Sequence, residues 1–179
     1  DGHMSTNDTI AIMANGASGV NITSKGHELQ IFQDGLNYVT SYLAKAIVKD
    51  GEGATKFIQI DVVGARSRSD ATKIARSVAD SPLVKTAING EDPNWGRIVS
   101  AAGYAGVELN ESTTNLYIND ILIFARGMPT LCDLNQLSTS MKGSDITIRL
   151  ELGLGNCSDT VWTCDLSHEY VTINAEYHT

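Results

Sequence analysis

The chain has 179 residues, 42% of them hydrophobic, with a mean hydropathy of −0.09 and a formal net charge of −8. That length suits one soluble globular domain, 1–179, with a proper core. The acidic balance argues against nucleic acid or an anionic membrane as partner, since both select clustered Lys and Arg, and no apolar run approaches the roughly 20 residues of a membrane span.

Asp1-Gly2-His3-Met4 does not look like a native start, and Gly2-His3-Met4 reads equally as native sequence or as the remnant of an expression tag. No signal or transit peptide is visible. Ser5-Thr6-Asn7-Asp8 offers N-cap candidates for a short buried helix over Ile10, Ile12 and Met13, ending at Asn15-Gly16. The β-branched residues there leave a strand open. Gly16-Ala17-Ser18-Gly19 is loop. From Leu29 to Val48, Leu29, Ile31, Phe32, Leu36, Val39, Leu43 and Ile47 keep helical spacing opposite Gln33, Asn37, Ser41 and Lys45. Asp50-Gly51-Glu52-Gly53 breaks that helix. Lys56 to Val63 alternates and is rich in β-branched residues, as a strand does.

Ser69 is the expected cap of a helix running through Ile74 and Val78 to Ser81-Pro82. Val84, Ala87 and Ile88 form a short apolar run that stops at Asn89-Gly90, a pair suited to positive φ. Glu91-Asp92-Pro93-Asn94 can bond the free N–H groups of a helix start, and from Trp95 the pattern is helical through Ile98, Ala101 and Ala102. Strands follow: 116–118 and 121–124 flank Asn119-Asp120, a hairpin signal. Asp133 opens a short helix to Met141. Ile146, Ile148, Leu150 and Leu152 alternate as an antiparallel strand, which Gly153-Leu154-Gly155-Asn156 turns back into 161–165. The expected fold is mixed α/β (α+β), with helices packed on mixed and antiparallel sheets.

Few constellations suggest chemistry. Glu52 lies between two glycines at a helix-to-strand junction, where the backbone can carry a carboxylate into a cleft; otherwise it is a solvated loop acid. Gly51-Glu52-Gly53-Ala54-Thr55-Lys56 lacks the Gly-Lys-Ser/Thr ending and preceding strand of a phosphate loop. His168-Glu169 lacks a second His four residues on, and Cys132, Cys157 and Cys164 lack metal-ligand spacing, so no metal is expected. The cysteines read as free thiols in a reducing compartment, with Cys157 and Cys164 packed in the core. His3, His27 and His178 read as exposed or terminal. In the stretch 84–104, local polar bonds at a helix start with Trp95 in the core would account for each side chain taken singly.

Four blocks of the chain, taken together, resemble the ornithine acetyltransferase family of arginine biosynthesis. They are Asp1-Gly2…Ser5-Thr6-Asn7-Asp8-Thr9, Asp50 to Lys56, Lys85-Thr86-Ala87-Ile88-Asn89-Gly90-Glu91-Asp92-Pro93-Asn94-Trp95-Gly96-Arg97, and the terminal Asp165 to Thr179. His3 departs from the small or acidic residue usual in the first block. The resemblance implies N-terminal-nucleophile-like logic. A precursor cuts itself before a Thr, and that Thr takes acetyl from N2-acetylornithine, with its own α-amine as base, and passes it to glutamate. An oxyanion site of the α chain would stabilise the intermediate.

The family's Thr lies in a Met-Ala-Thr-Met-Leu-like motif that this sequence does not contain, so no catalytic residue is expected in it. The chain resembles a β chain without its first stretch, inert alone. Glu52, Asn174 and Thr179 match the family's substrate-binding residues, and Tyr170, Val171, Ile173 and Tyr177 would anchor the tail that carries the last two. The resemblance further implies the α chain of the same precursor as partner in an αβ hetero-oligomer such as α2β2. It implies no cofactor, with acetyl-CoA as a possible second substrate. The terminal block looks fungal, which would place the protein in the mitochondrial matrix. The alternative from another class is a non-catalytic scaffold or regulatory domain that keeps the fold.

Overall fold

The computed structural model describes residues 2–22 and 25–177, and the chain divides into two compact units, 1–46 and 47–179. In the first, residues 2–22 form turns and extended chain with no helix or strand. The short buried helix expected over Ile10–Met13 is therefore corrected: Ile10 is 99% and Met13 94% exposed. The would-be cap residues bond one another instead, Asn7 N–H donating to Ser5 Oγ at 3.2 Å and Ser5 N–H to Asp8 Oδ2. Such local bonds compete with helix initiation, which is costly without a surface to cover the apolar side chains. The long helix is present as α1, His27–Lys49, but none of its residues is buried; Ile31, Phe32, Val39 and Leu43 are each at least half exposed.

The second unit is built on a six-stranded mixed sheet. Its strands are β1 (Phe57–Ala65), β2 (Asn115–Ile118), β3 (Ile121–Ala125), β4 (Met128–Pro129), β5 (Asp145–Glu151) and β6 (Cys157–Cys164), in the order β4-β3-β2-β5-β1-β6. The β2–β3 hairpin forms as expected, with Asn119 and Asp120 at φ 47° and 63°. β5 departs from expectation. It pairs antiparallel with β2 but parallel with β1, Ile58 opposite Ile146 and Ile60 opposite Ile148. β6 likewise does not fold back on β5; it lies antiparallel on the far side of β1. Alternation shows which face of a strand is buried but not which strand lies beside it.

The crossing from β5 to β6 is made at the end of β1. Leu154 and Gly155 N–H both donate to Gly64 O at 2.8 Å, and a Cβ on Gly155 would stand 2.5 Å from Ala65 O. Only glycine lets the backbone pass that closely.

The helices are α2 (Arg68–Ala79), α3 (Pro82–Asn89), α4 (Trp95–Gly103), α5 (Leu134–Met141) and α6 (His168–Glu176). α2 is capped by Ser67, not Ser69: Ser67 Oγ accepts from Asp70 N–H at 3.1 Å. The apolar run 84–88 is helical, with Pro82 in the first turn of α3 and Ser81 as its cap. Gly90 has φ −81°, and it is Glu91 that takes the left-handed conformation, at φ 56°. α4 and α5 start where the sequence places them, Asn94 Oδ1 accepting from Arg97 N–H and Asp133 Oδ1 from Asn135 and Gln136 N–H.

One sheet face (Ile58, Ile60, Val62, Leu116, Ile148, Leu150) forms the core with Ile74 and Val78 of α2 and Ile98 and Ala102 of α4, all at most 2% exposed. The other face is polar. Trp162 Nε1 donates to Gln59 at 3.1 Å, Tyr117 Oη to Glu151 at 3.0 Å, and the Arg149 guanidinium lies 4.4 Å from the Tyr117 ring centre. Cys157 and Cys164 end β6 half-buried, outside the core that the sequence reading expects them to fill.

Candidate functional site

Three segments far apart in sequence come together at the Asp50–Thr55 end of β1: the loop 50–56 between α1 and β1, the turn 89–94 between α3 and α4, and the chain from the end of β6 into α6. Asp165 joins all three. It is 3% exposed, and its carboxylate accepts four hydrogen bonds. Thr55 N–H and Lys56 N–H reach Oδ1, both at 2.8 Å, while Thr55 Oγ1 and Asn89 Nδ2 reach Oδ2 at 2.6 and 2.7 Å. Burial pushes the Asp165 carboxyl up, but these donors outweigh burial and hold it below its ordinary value.

Two buried lysines stand beside this clamp. Lys56 donates to Met141 O at 2.8 Å and Gly143 O at 3.2 Å and lies 3.5 Å from Glu91 Oε1. Lys85 donates to Thr163 Oγ1 at 3.0 Å, and its own carbonyl accepts from Leu166 N–H. Lys56 thus reaches three oxygens, one of them a carboxylate, while Lys85 has one hydroxyl oxygen and a 4.0 Å contact to Cys164 Sγ. Glu91 takes its left-handed turn where its carboxylate meets Lys56.

The chain two residues past Asp165 begins α6. Ser167 Oγ donates to Gly53 O at 2.6 Å and accepts from Tyr170 N–H at 3.4 Å, so one hydroxyl both caps the helix and holds the loop. The approach is close. Gly53 has φ +66°, and a Cβ there would stand 2.5 Å from Tyr170 N. Across this junction Asn174 Nδ2 donates to Glu52 Oε2 at 2.8 Å and to Tyr170 O at 2.9 Å. Glu52 and Asn174, 122 residues apart, are thus brought into direct contact on an exposed surface. Among the described residues, none is hydrogen-bonded to Glu52 Oε1 or Asn174 Oδ1, and both atoms are hydrogen-bond acceptors.

Thr179, the third expected binding residue, lies outside the described residues, as does His178. The apolar anchoring expected for the tail is corrected: α6 buries no residue, and Val171 and Tyr177 are 60% and 72% exposed. α6 is held by its first turn and by Asn174 instead. Trp95 is exposed, stacked on Phe124 at 5.2 Å rather than enclosed in the core. Sequence reasoning also missed Asp165 and Ser167. Both stand in the terminal block, and Ser167 ahead of His168-Glu169-Tyr170 carries a cap signal, but nothing in the sequence names its partner across the chain. Among the described residues, no group of three or more His, Cys, Asp or Glu is placed to hold a metal ion, and no helix is long and apolar enough to cross a membrane.

Three of the four sequence blocks therefore form one site. The model of the ArgJ family matches residues 1–179. This chain belongs to the ArgJ family. It is 46% identical over 180 residues to the arginine biosynthesis bifunctional protein ArgJ of Staphylococcus aureus (strain COL), aligning over its whole length with 44% of that protein. It is 44% identical over 187 residues to the glutamate N-acetyltransferase of Methanocaldococcus jannaschii, covering 46% of it. The crystal structure of the arginine biosynthesis bifunctional protein argJ from Bacillus halodurans superposes with a TM-score of 0.94 at 38% identity, over 99% of this chain and 84% of that one. The mixed α/β fold is thus shared with a solved ArgJ. The chain spans less than half the length of the curated relatives it matches.

Proposed function

We propose that this ArgJ chain supplies the amino-acid-binding part of an acetyltransferase of arginine biosynthesis that moves acetyl from N2-acetylornithine to glutamate. The observation that carries the reading is the Glu52–Asn174 contact at 2.8 Å, set on a loop and a helix that Asp165 and Ser167 hold together. A carboxylate oxygen and an amide oxygen are acceptors of the kind that bind an ammonium, which N2-acetylornithine carries on its side chain and a chain-terminal nucleophilic Thr carries on its α-nitrogen. In the reaction a Thr hydroxyl attacks the acetyl carbonyl, ornithine leaves with the proton on its nitrogen, and glutamate's amine then takes the acetyl from the Thr ester.

That Thr belongs to a motif not found in these 179 residues, and the partner in this reading is the α chain of the same precursor, in an αβ hetero-oligomer such as α2β2. Thr179 completes the pocket in this reading, and acetyl-CoA is the second acetyl donor of a bifunctional member. No resident cofactor takes part. The fungal type and the mitochondrial matrix rest on the terminal block alone; the bacterial and archaeal relatives named above add nothing to them.

The test is Glu52→Gln in the full-length enzyme, assayed for acetyl transfer from N2-acetylornithine to glutamate. A fall of at least about tenfold in kcat/KM with an unchanged melting temperature is expected, since a placed carboxylate typically contributes 10²–10⁴-fold. Unchanged kinetics would return Glu52 to a solvated loop acid and remove the observation that carries this reading.

A further inference from the structure

The Glu52–Asn174 pair is made by a glycine-flanked loop and the last turns of a helix that buries no residue. Neither Gly51–Thr55 nor α6 contains a fully buried side chain, yet both are tied to the same three residues of chain. On the loop side, Asp165 fixes Thr55 and Lys56 through three bonds and Ser167 fixes the carbonyl of Gly53, the residue that follows Glu52. On the helix side, the same Ser167 oxygen caps the first turn of α6 at Tyr170 N–H, and Tyr170 O in turn accepts from Asn174. A continuous path of hydrogen bonds thus runs from Glu52's neighbour through one hydroxyl to Glu52's partner.

We propose that Ser167 is a positioning residue for the proposed acetyl transfer: its hydroxyl sets the separation of the Glu52 loop from α6, and so aims the Glu52 carboxylate at the substrate. This rests on the reading of Glu52 as a substrate-contacting residue. The geometry allows little tolerance. The Gly53 backbone already stands so close to α6 that a single added carbon would fall 2.5 Å from Tyr170 N and 2.9 Å from Ser167 Oγ, so the hydroxyl works at a tight approach of loop and helix. Removing it leaves Gly53 O without its donor and Tyr170 N–H without its acceptor, and the loop is then free to move away from the helix. A displacement of about 1 Å at a reacting group can cost as much as 10²-fold in rate.

Ser167 touches no substrate in this account, so its effect must pass through Glu52. That yields a test which general destabilisation fails. Ser167→Ala, Glu52→Gln and the double variant are prepared in the full-length enzyme, with Ser167→Thr as the conservative replacement that keeps both bonds. The expected result is a roughly tenfold loss of kcat/KM for Ser167→Ala in the native background, and less than about twofold when Glu52 is already Gln. Ser167→Thr should restore most of the loss. The pH profile of kcat/KM should change shape on its acid limb in Ser167→Ala and keep the native shape in Ser167→Thr. Equal losses in both backgrounds, or a loss that Thr does not restore while the melting temperature falls with it, would make Ser167 merely a helix cap and overturn the inference. If Glu52→Gln is itself silent, the functional reading fails and takes the positioning role with it; if Glu52→Gln is damaging and Ser167→Ala is not, the positioning role alone falls.

Discussion

Replacing Asp165 by Asn removes one charge at nearly constant volume from the most heavily bonded side chain of the site. An amide at this position keeps one oxygen for the Thr55 and Lys56 N–H groups but presents an NH2 where Oδ2 now accepts from Asn89 Nδ2 at 2.7 Å and Thr55 Oγ1 at 2.6 Å. Two bonds are lost or reversed, and the two that remain lose their charge assistance. With bonds to charged acceptors contributing about 1.5–3 kcal/mol and neutral ones about 1 kcal/mol, the loss should be about 2–4 kcal/mol. Solvent cannot make up for it, because the carboxylate is 3% exposed. Urea unfolding of both proteins as a function of pH is the assay.

The folded carboxyl sits below its ordinary value of 3.8, so the ionised form contributes stability that is fully present above that value and is lost as the pH falls through the folded one. The native protein's margin over Asp165→Asn should therefore be constant from neutral pH down to about 5 and narrow below about 4. A margin under about 0.5 kcal/mol at neutral pH, or one that widens on acidification, would refute the clamp.

Two further substitutions probe the backbone around the site and the sheet. Gly53→Ala combines a left-handed φ of +66° with a Cβ 2.5 Å from Tyr170 N, so it should cost at least about 2 kcal/mol in urea unfolding and reduce acetyl transfer with it. Native-like stability would mean that the loop stands farther from α6. Asp120→Gly replaces a residue held at φ 63° in the β2–β3 turn, where its exposed carboxylate makes a long ion pair of 3.9 Å to Arg149. It should raise stability by a few tenths to about 1 kcal/mol, and a loss in thermal unfolding would show that the ion pair outweighs the backbone strain.

Elements whose cause is local were legible in the sequence. The β2–β3 hairpin is fixed by two residues that tolerate positive φ, α5 by Asp133 and α4 by Asn94, and each stands where its signal lies. The segment 10–13 misled because its caps and apolar residues fit a helix only if something covers them. β5 and β6 were found as strands but misassigned as partners, since the close passage of Gly155 over Ala65 that sends the chain across β1 is a tertiary fact. The site divides in the same way. Glu52 and Asn174 were named separately from their blocks, while their contact, and the roles of Asp165 and Ser167 in making it, depend on segments more than a hundred residues apart.

That separation bears on when the site comes into being. Asp165 meets Thr55 across 110 residues, and bringing the ends of such a span together costs about 4 kcal/mol by the logarithmic law for flexible loops. Pairing of β6 with β1 meets most of that cost, because Asp165 directly follows the strand that β1 has already aligned. During synthesis the Glu52 loop is among the first parts of this unit to leave the ribosome, and Asn174 among the last. Every other strand of the sheet can find its neighbours before then. The Glu52–Asn174 contact therefore forms only after α6 has been made, whatever part of the sheet has already assembled.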